Sequence, residues 1–277
     1  MERRAFLAGS WYPGDERGCR EAIAEHAQGT EPEAGEWWGL IGPHAGWAYS
    51  GGAAAHAYRW LASARDPELA VVFGSHRGPL GPNTIFCAGA WQTPLGALAT
   101  DMELAITIRD TLDLDEEPVA PLRPDNAVEL HLPFVRAFFP RARLIMIGVA
   151  ASEVALAIGR RVGELVRGRD TVYVGSTDLT HYGPNYGFAP AGRGARAVQW
   201  TRDNDQGFLQ AVLRNDARGA LAHASEHQSA CCPGAVAATI EAVRADRGTP
   251  RPKLIDHYLS YDVRPDDSFV GYAGLVL

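Results

Sequence analysis

A chain of 277 residues, 46% hydrophobic and 21% charged, is long and apolar enough for one large domain with a sizeable core. The net charge of −7, with no basic stretch, argues against a nucleic-acid partner, and no apolar run approaches the length needed to span a membrane. Four irregularly placed cysteines (Cys19, Cys87, Cys231, Cys232) make no disulfide framework, and the apolar part of the N-terminus is too short for a signal peptide, so the expected location is the cytoplasm.

In chain order, the pattern predicts a helix over Asp15–Gln28, a strand over Trp37–Ile41, a helix over Gly51–Ala62 and strands over Leu69–Phe73 and Thr84–Cys87. Helices over Asp101–Leu112 and Ala127–Phe139 precede a strand over Leu144–Val149, a helix over Ser152–Arg167 and a strand over Thr171–Gly175. The Gly-, Ala- and Pro-rich segment Phe188–Gly194 reads as a surface loop that could serve as a lid. Helices over Arg202–Leu213, Asp216–Ala224 and Pro233–Arg247 follow, and strands over Leu254–Ser260 and Phe269–Leu277 close the chain as an antiparallel extension. Strands alternating with helices of this length predict an α/β fold: one domain over 1–277, with a central, mainly parallel sheet and helices on both faces.

Such sheets bind ligands beyond the carboxyl ends of their strands. Three predicted strands end there in chemistry: Gly42-Pro43-His44-Ala45-Gly46, Gly74-Ser75-His76, and Gly175-Ser176-Thr177-Asp178-Leu179-Thr180-His181. A lone histidine at a strand end is more often a hydrogen-bonded structural group than a ligand. Two at equivalent ends of neighbouring strands raise each other's case, because neutral imidazole is the commonest metal ligand.

Cys231 and Cys232 precede Pro233, a good first helical residue, and a helix N-terminus favours thiolate. The bland alternative is a pair of small buried hydrophobes. If one thiolate completes a metal site, adjacent side chains diverge and only one of the two is expected to point inward. Asp178 and His181 would share a face if their segment turned helically, with the carboxylate orienting the imidazole as a general acid/base; an N-cap aspartate beside an unrelated histidine is the equal alternative. Glu129 and His131, inside an apolar run, suit an ion pair or a supporting role, and Glu129 is the second candidate for third ligand.

The motifs Ala8-Gly9-Ser10-Trp11-Tyr12, Pro43-His44-Ala45-Gly46 with Tyr49 and Gly51, Gly74-Ser75-His76, Glu129-Leu130-His131-Leu132-Pro133-Phe134, Ser176-Thr177-Asp178-Leu179-Thr180-His181-Tyr182 and the Cys231 region run nearly end to end. In this order the chain resembles the Memo family, which includes bacterial proteins of an AmmeMemoRadiSam system and is related in fold to the class III extradiol dioxygenases. The resemblance implies a class III extradiol dioxygenase-like fold, with His44, His76 and a cysteine (Cys231, or alternatively Cys232) as metal ligands. It places Asp178 and His181 in the same pocket, with His181 at the position of the dioxygenases' catalytic base and Glu129 and His131 among the catalytic candidates. Trp11, Tyr49 and Tyr182 become candidates for lining the substrate pocket. Two departures stand out: the family's cysteine is usually followed by Gly and lies further ahead of the Pro, and a histidine common upstream of the Glu129 motif is replaced by Asn126.

The function expected from this resemblance is that of a non-haem oxidoreductase of dioxygenase type, with a divalent metal favoured to be iron(II), and copper or zinc as alternatives. Its partners would be an aromatic small-molecule substrate and dioxygen, with homo-oligomerisation left open. A non-catalytic metal-binding or protein-interaction module is the first alternative, and a zinc-dependent hydrolase the weaker one.

Overall fold

The computed structural model describes residues 1–121 and 124–277. Twelve strands occur among the described residues: β1 Glu2–Arg3, β2 Gly39–Gly42, β3 Leu69–Gly74, β4 Thr84–Ile85, β5 Ala90–Trp91, β6 Leu98–Ala99, β7 Asp115–Glu116, β8 Arg143–Gly148, β9 Thr171–Ser176, β10 His181–Tyr182, β11 Lys253–Leu259 and β12 Phe269–Val276. Nine of them make one sheet in the order β10-β12-β2-β9-β3-β8-β4-β7, with β11 paired onto β12. Its centre, β2-β9-β3-β8, is parallel throughout, while β12 joins β2, and β4 joins β8, in antiparallel sense. As the sequence predicts, the sheet is mixed but mostly parallel, and the last two long strands form its antiparallel extension.

Helices cover both faces, and the strand residues sort between them with period two. Leu69, Val71 and Phe73 enter one core with the helices Val154–Leu165 and Pro233–Arg247; Ala70 and Val72 enter the other with Trp47–Ala64 and Leu132–Phe138. Burial on both sides explains why these strands read as unbroken apolar runs. The helices Val154–Leu165 and Pro233–Arg247 approach most closely at Gly159 and Gly163, where an added methyl would collide with the backbone of Ala238 and Ala242.

Three local predictions need correction. The helix expected over 127–139 is two, Asn126–Glu129 and Leu132–Phe138, because Pro133 lacks an N–H and crowds the carbonyl four residues back. The helix expected from Gly51 begins at Trp47, and the one expected from Arg202 begins at Ala195. Apart from β4, expected over Thr84–Cys87, the two-residue strands, including the separate sheet β1-β5-β6, are too short to imprint a period on the sequence.

Candidate metal centre and its cavity

The three central strands end level with one another. Register pairs Gly42 of β2 with Ser176 of β9, and Phe73 of β3 with Gly175 of β9. His44, Asp178 and His76 each stand two residues beyond these ends. The carboxyl edge of the sheet therefore carries them side by side, with Asp178 in the middle.

His44 is fully buried and held from several directions. Its backbone N–H donates to Asp178 Oδ1 at 2.7 Å, and its carbonyl accepts from Asn126 Nδ2 at 2.9 Å. Ring Nδ1 lies 2.6 Å from Ser176 Oγ, whose hydroxyl proton goes to the Ala127 carbonyl. The serine can thus only accept from the ring, so Nδ1 carries the proton and Nε2 faces the site. His76 is fixed by the same logic: Nδ1 donates to Asp125 Oδ1 at 2.9 Å, while Asp125 Oδ2 accepts from the His76 N–H and the Ser75 hydroxyl. Ser75 adopts φ +88°, a left-handed turn that swings His76 out of the strand direction.

The two Nε2 atoms are 3.1 Å apart, and Cys231 Sγ lies 3.2 Å from that of His44. Cys231 is delivered by the segment before the helix Pro233–Arg247: its N–H donates to the Asp178 carbonyl, and its sulfur accepts the Asp178 N–H at 3.3 Å. Cys232 Sγ lies 3.8 Å from Cys231 Sγ. The four ligand atoms of His44, His76, Cys231 and Cys232 lie within 4.8 Å of one another, a group that could hold a metal ion.

The charges agree with this geometry. Burial pushes the Cys231 thiol up, but the Cys232 hydrogen bond and the two imidazoles outweigh it and hold the group well below its usual range, as thiolate. Burial works against the charged form of His76, yet Asp125 and Cys231 lift it to about 10. His44 is likewise raised, with Cys231 and Asp178 overcoming burial. Three electron-rich atoms converge here, and only protons or a cation can stabilise that convergence. The donor set of two imidazoles and a thiolate fits a transition metal or zinc.

Beside this cluster opens a cavity of about 730 Å³, bordered by His76, Asp178 and His181. Trp11, Tyr49 and Tyr186 also border it and are 42%, 36% and 46% exposed, so three large aromatic faces meet solvent at one opening. His181 Nδ1 donates to the Leu179 carbonyl at 3.1 Å, which leaves Nε2 as an acceptor, and the ring stands edge-on to Tyr186.

Residues 3–276 match the family model described as Memo-like protein. The chain belongs to the Memo-like family. This Memo-like protein is 34% identical to a MEMO1 family protein of Methanothermobacter thermautotrophicus, across 99% of this chain and 100% of the relative. It is 30% identical to one of Thermococcus onnurineus, across 100% of this chain and 99% of the relative. Among solved structures, an uncharacterized protein of Escherichia coli K12 superposes with a TM-score of 0.54 over 87% of this chain and 100% of that one; at 11% identity the likeness is of fold alone.

Several candidates of this Memo-like protein lie elsewhere than the sequence implied. Tyr182 is fully buried, stacked on Phe269 and packed against Trp200, and does not border the cavity. It adjoins His181 in an extended segment, so the two side chains face opposite ways. Asp178 and His181 do not share a helical face; Asp178 accepts from His44 instead. Glu129 is buried outside the cluster, with Oε1 accepting from the Leu7 N–H and the Tyr12 hydroxyl, and so ties down the N-terminal segment. His131 is buried beneath β2, its Nδ1 3.2 Å from the Tyr58 hydroxyl. The Phe188–Gly194 loop is pinned by Tyr182, whose hydroxyl accepts from the Ala191 N–H and donates to the Gly192 carbonyl, and it does not border the cavity.

Sequence reading missed Ser176 and Asp125 as supports of the two imidazoles. Asp125 did leave a signal: an Asp directly before a helical run reads as an N-cap, and it does accept from the Ala127 N–H. No helix among the described residues is long and apolar enough to cross a membrane.

Proposed function

We propose that this protein is a metal-dependent oxidoreductase in which His44, His76 and Cys231 hold iron(II), and that it acts with dioxygen on a phenolic or catechol-like small molecule in the adjoining cavity. The observation that carries this reading is the convergence of two tautomerically fixed Nε2 atoms and a thiolate at the wall of an aromatic-lined cavity. Bound there, the ion would supply a redox-active centre with coordination positions open to small ligands. The chain's own residues do the rest. Trp11, Tyr49 and Tyr186 offer faces on which a planar ring stacks. His181, with Nδ1 committed to Leu179, presents Nε2 to accept the proton of a phenolic hydroxyl. Asp178 accepts the His44 N–H and so orients the backbone that carries this imidazole. The dioxygenase-like motifs of the sequence support the same chemistry.

A thiolate is softer than the carboxylate of the two-His, one-carboxylate oxygenases, which favours copper or zinc as the second reading of the metal. Metal analysis after aerobic and anaerobic purification, followed by oxygen uptake on a panel of catechols, tests the proposal. Bound iron with oxygen uptake is the expected result. Tight zinc with hydrolytic turnover would replace it with a zinc hydrolase, and bound metal without any turnover with a non-catalytic metal-binding module.

A further inference from the structure

We propose that Cys232 supplies a fourth donor, so that this chain's centre is a His2Cys2 set formed by His44, His76, Cys231 and Cys232. The inference rests on the metal-centre part of the preceding reading and is independent of its substrate.

The distances carry it. A tetrahedral ion with nitrogen at about 2.05 Å and sulfur at about 2.3 Å has edges of about 3.3 Å (N–N), about 3.6 Å (N–S) and about 3.8 Å (S–S). The structure has Nε2–Nε2 at 3.1 Å, His44 Nε2–Cys231 Sγ at 3.2 Å and Cys231 Sγ–Cys232 Sγ at 3.8 Å. The remaining pairs fall within 4.8 Å, wider than a closed shell, so the four atoms stand around one point and a bound ion would draw them in.

Neighbouring side chains ordinarily diverge, and the local backbone explains why these do not. Cys232 is the N-cap of the helix Pro233–Arg247, with φ −129° and ψ 57°, so the chain turns between the two cysteines. Its N–H donates to Thr177 Oγ1 at 3.1 Å, and the Cys231 N–H donates to the Asp178 carbonyl at 3.1 Å. Both backbones are thereby pinned to the end of β9. The Cys232 thiol touches apolar core on one side, but its polar partners are the Cys231 sulfur and the Ser75 carbonyl at 3.4 Å, a weak thiol bond readily exchanged for a metal. Burial and the adjoining Cys231 sulfur hold the proton on the Cys232 thiol, so that proton is displaced by the metal itself.

Binding transfers no electrons: zinc(II) forms a bond to the Cys232 sulfur and its proton leaves to solvent. A second thiolate makes the set softer, raising its preference for zinc(II) and copper(I), while an octahedral ion such as iron(II) would still keep open positions.

The test loads the full chain with cobalt(II), a spectroscopic stand-in for zinc, and reads the sulfur-to-cobalt charge-transfer band. Cys232→Ser should cut that band by about half, as Cys231→Ser should, and should weaken zinc by more than the 10–100-fold typical of a supporting residue. Zinc-edge X-ray absorption of the unaltered chain, which requires no variant, should count two sulfurs at about 2.3 Å. One sulfur in that count, or an unchanged band and zinc affinity in a folded Cys232→Ser, overturns the fourth donor and leaves the three-residue centre standing. Absence of any charge-transfer band or zinc binding in the unaltered chain overturns the metal centre itself.

Discussion

The imidazoles of His44 and His76 meet through their Nε2 atoms at 3.1 Å, with ring planes at 80°. Each ring's Nδ1 is already committed, one to Ser176 and the other to Asp125. Neutral, the two rings would aim lone pairs at each other. The contact is therefore tolerable only with a positive charge between them or on them.

Replacing either ring should abolish stoichiometric metal binding. His44→Ala and His76→Ala both act beyond the strand ends, outside the two apolar cores, so circular dichroism should report an intact fold while metal analysis reports loss. Full metal content in both variants would refute the assignment.

Asp125→Asn tests the support of His76. An amide can offer its own N–H to Nδ1, which turns the ring's proton onto Nε2 and away from ligation. Affinity should fall roughly 10–100-fold, read by competition titration, with metal still bound at saturation. An unchanged affinity would show that the carboxylate does not orient the ring.

His181→Gln should lower turnover on the order of 10²–10⁴-fold, the usual contribution of a positioned acid/base, while leaving metal content unchanged. The two measurements must be made on the same preparation. Loss of metal would make His181 a ligand, and unaltered turnover would leave it a structural residue.

His131 predicts a pH dependence of stability. Burial, with His44 nearby, lowers it from 6.5 to about 3, so the folded chain keeps it neutral where the unfolded chain protonates it. Between those values the unfolded state binds more protons, and stability declines as pH falls through that window; above about 6.5 the contribution is complete. Urea midpoints measured from about pH 7 to about pH 4 should fall less steeply in His131→Gln than in the unaltered chain. Parallel slopes would contradict the neutral buried state.

Much of this was legible because burial on both faces writes β3, β8 and β9 as continuous apolar runs, and because His44 and His76 follow such runs directly. The Cys231 region was legible through Pro233 and the helix it starts. Other features left no local trace. Glu129 reads as a chemical group in an apolar stretch, yet its partner is the backbone of Leu7, 122 residues away. Tyr182 was misplaced because an extended segment cannot turn two adjacent side chains into one cavity, and its extended conformation is set by pairing with β12. The convergence of both sulfurs depends on a backbone turn at Cys232 that no periodicity encodes.

The glycine contact between the helices Val154–Leu165 and Pro233–Arg247 lies on the far side of a mechanical problem: how a sulfur atom is kept to within coordination tolerance. A helix slides in steps of about 1.5 Å per residue, whereas a metal–ligand distance tolerates about 0.2 Å. Gly159 and Gly163 seat the backbone of Ala238 and Ala242 with no slack, and this fixes the axial position of the helix whose first residues follow the cysteines. The distance gauge of the site is thus set along the whole helix, from Gly234 against the Ala150 backbone to the contacts more than one turn further on. A single methyl at Gly159 would collide with the Ala238 backbone and press on the helix that follows the thiols, without touching a single donor atom.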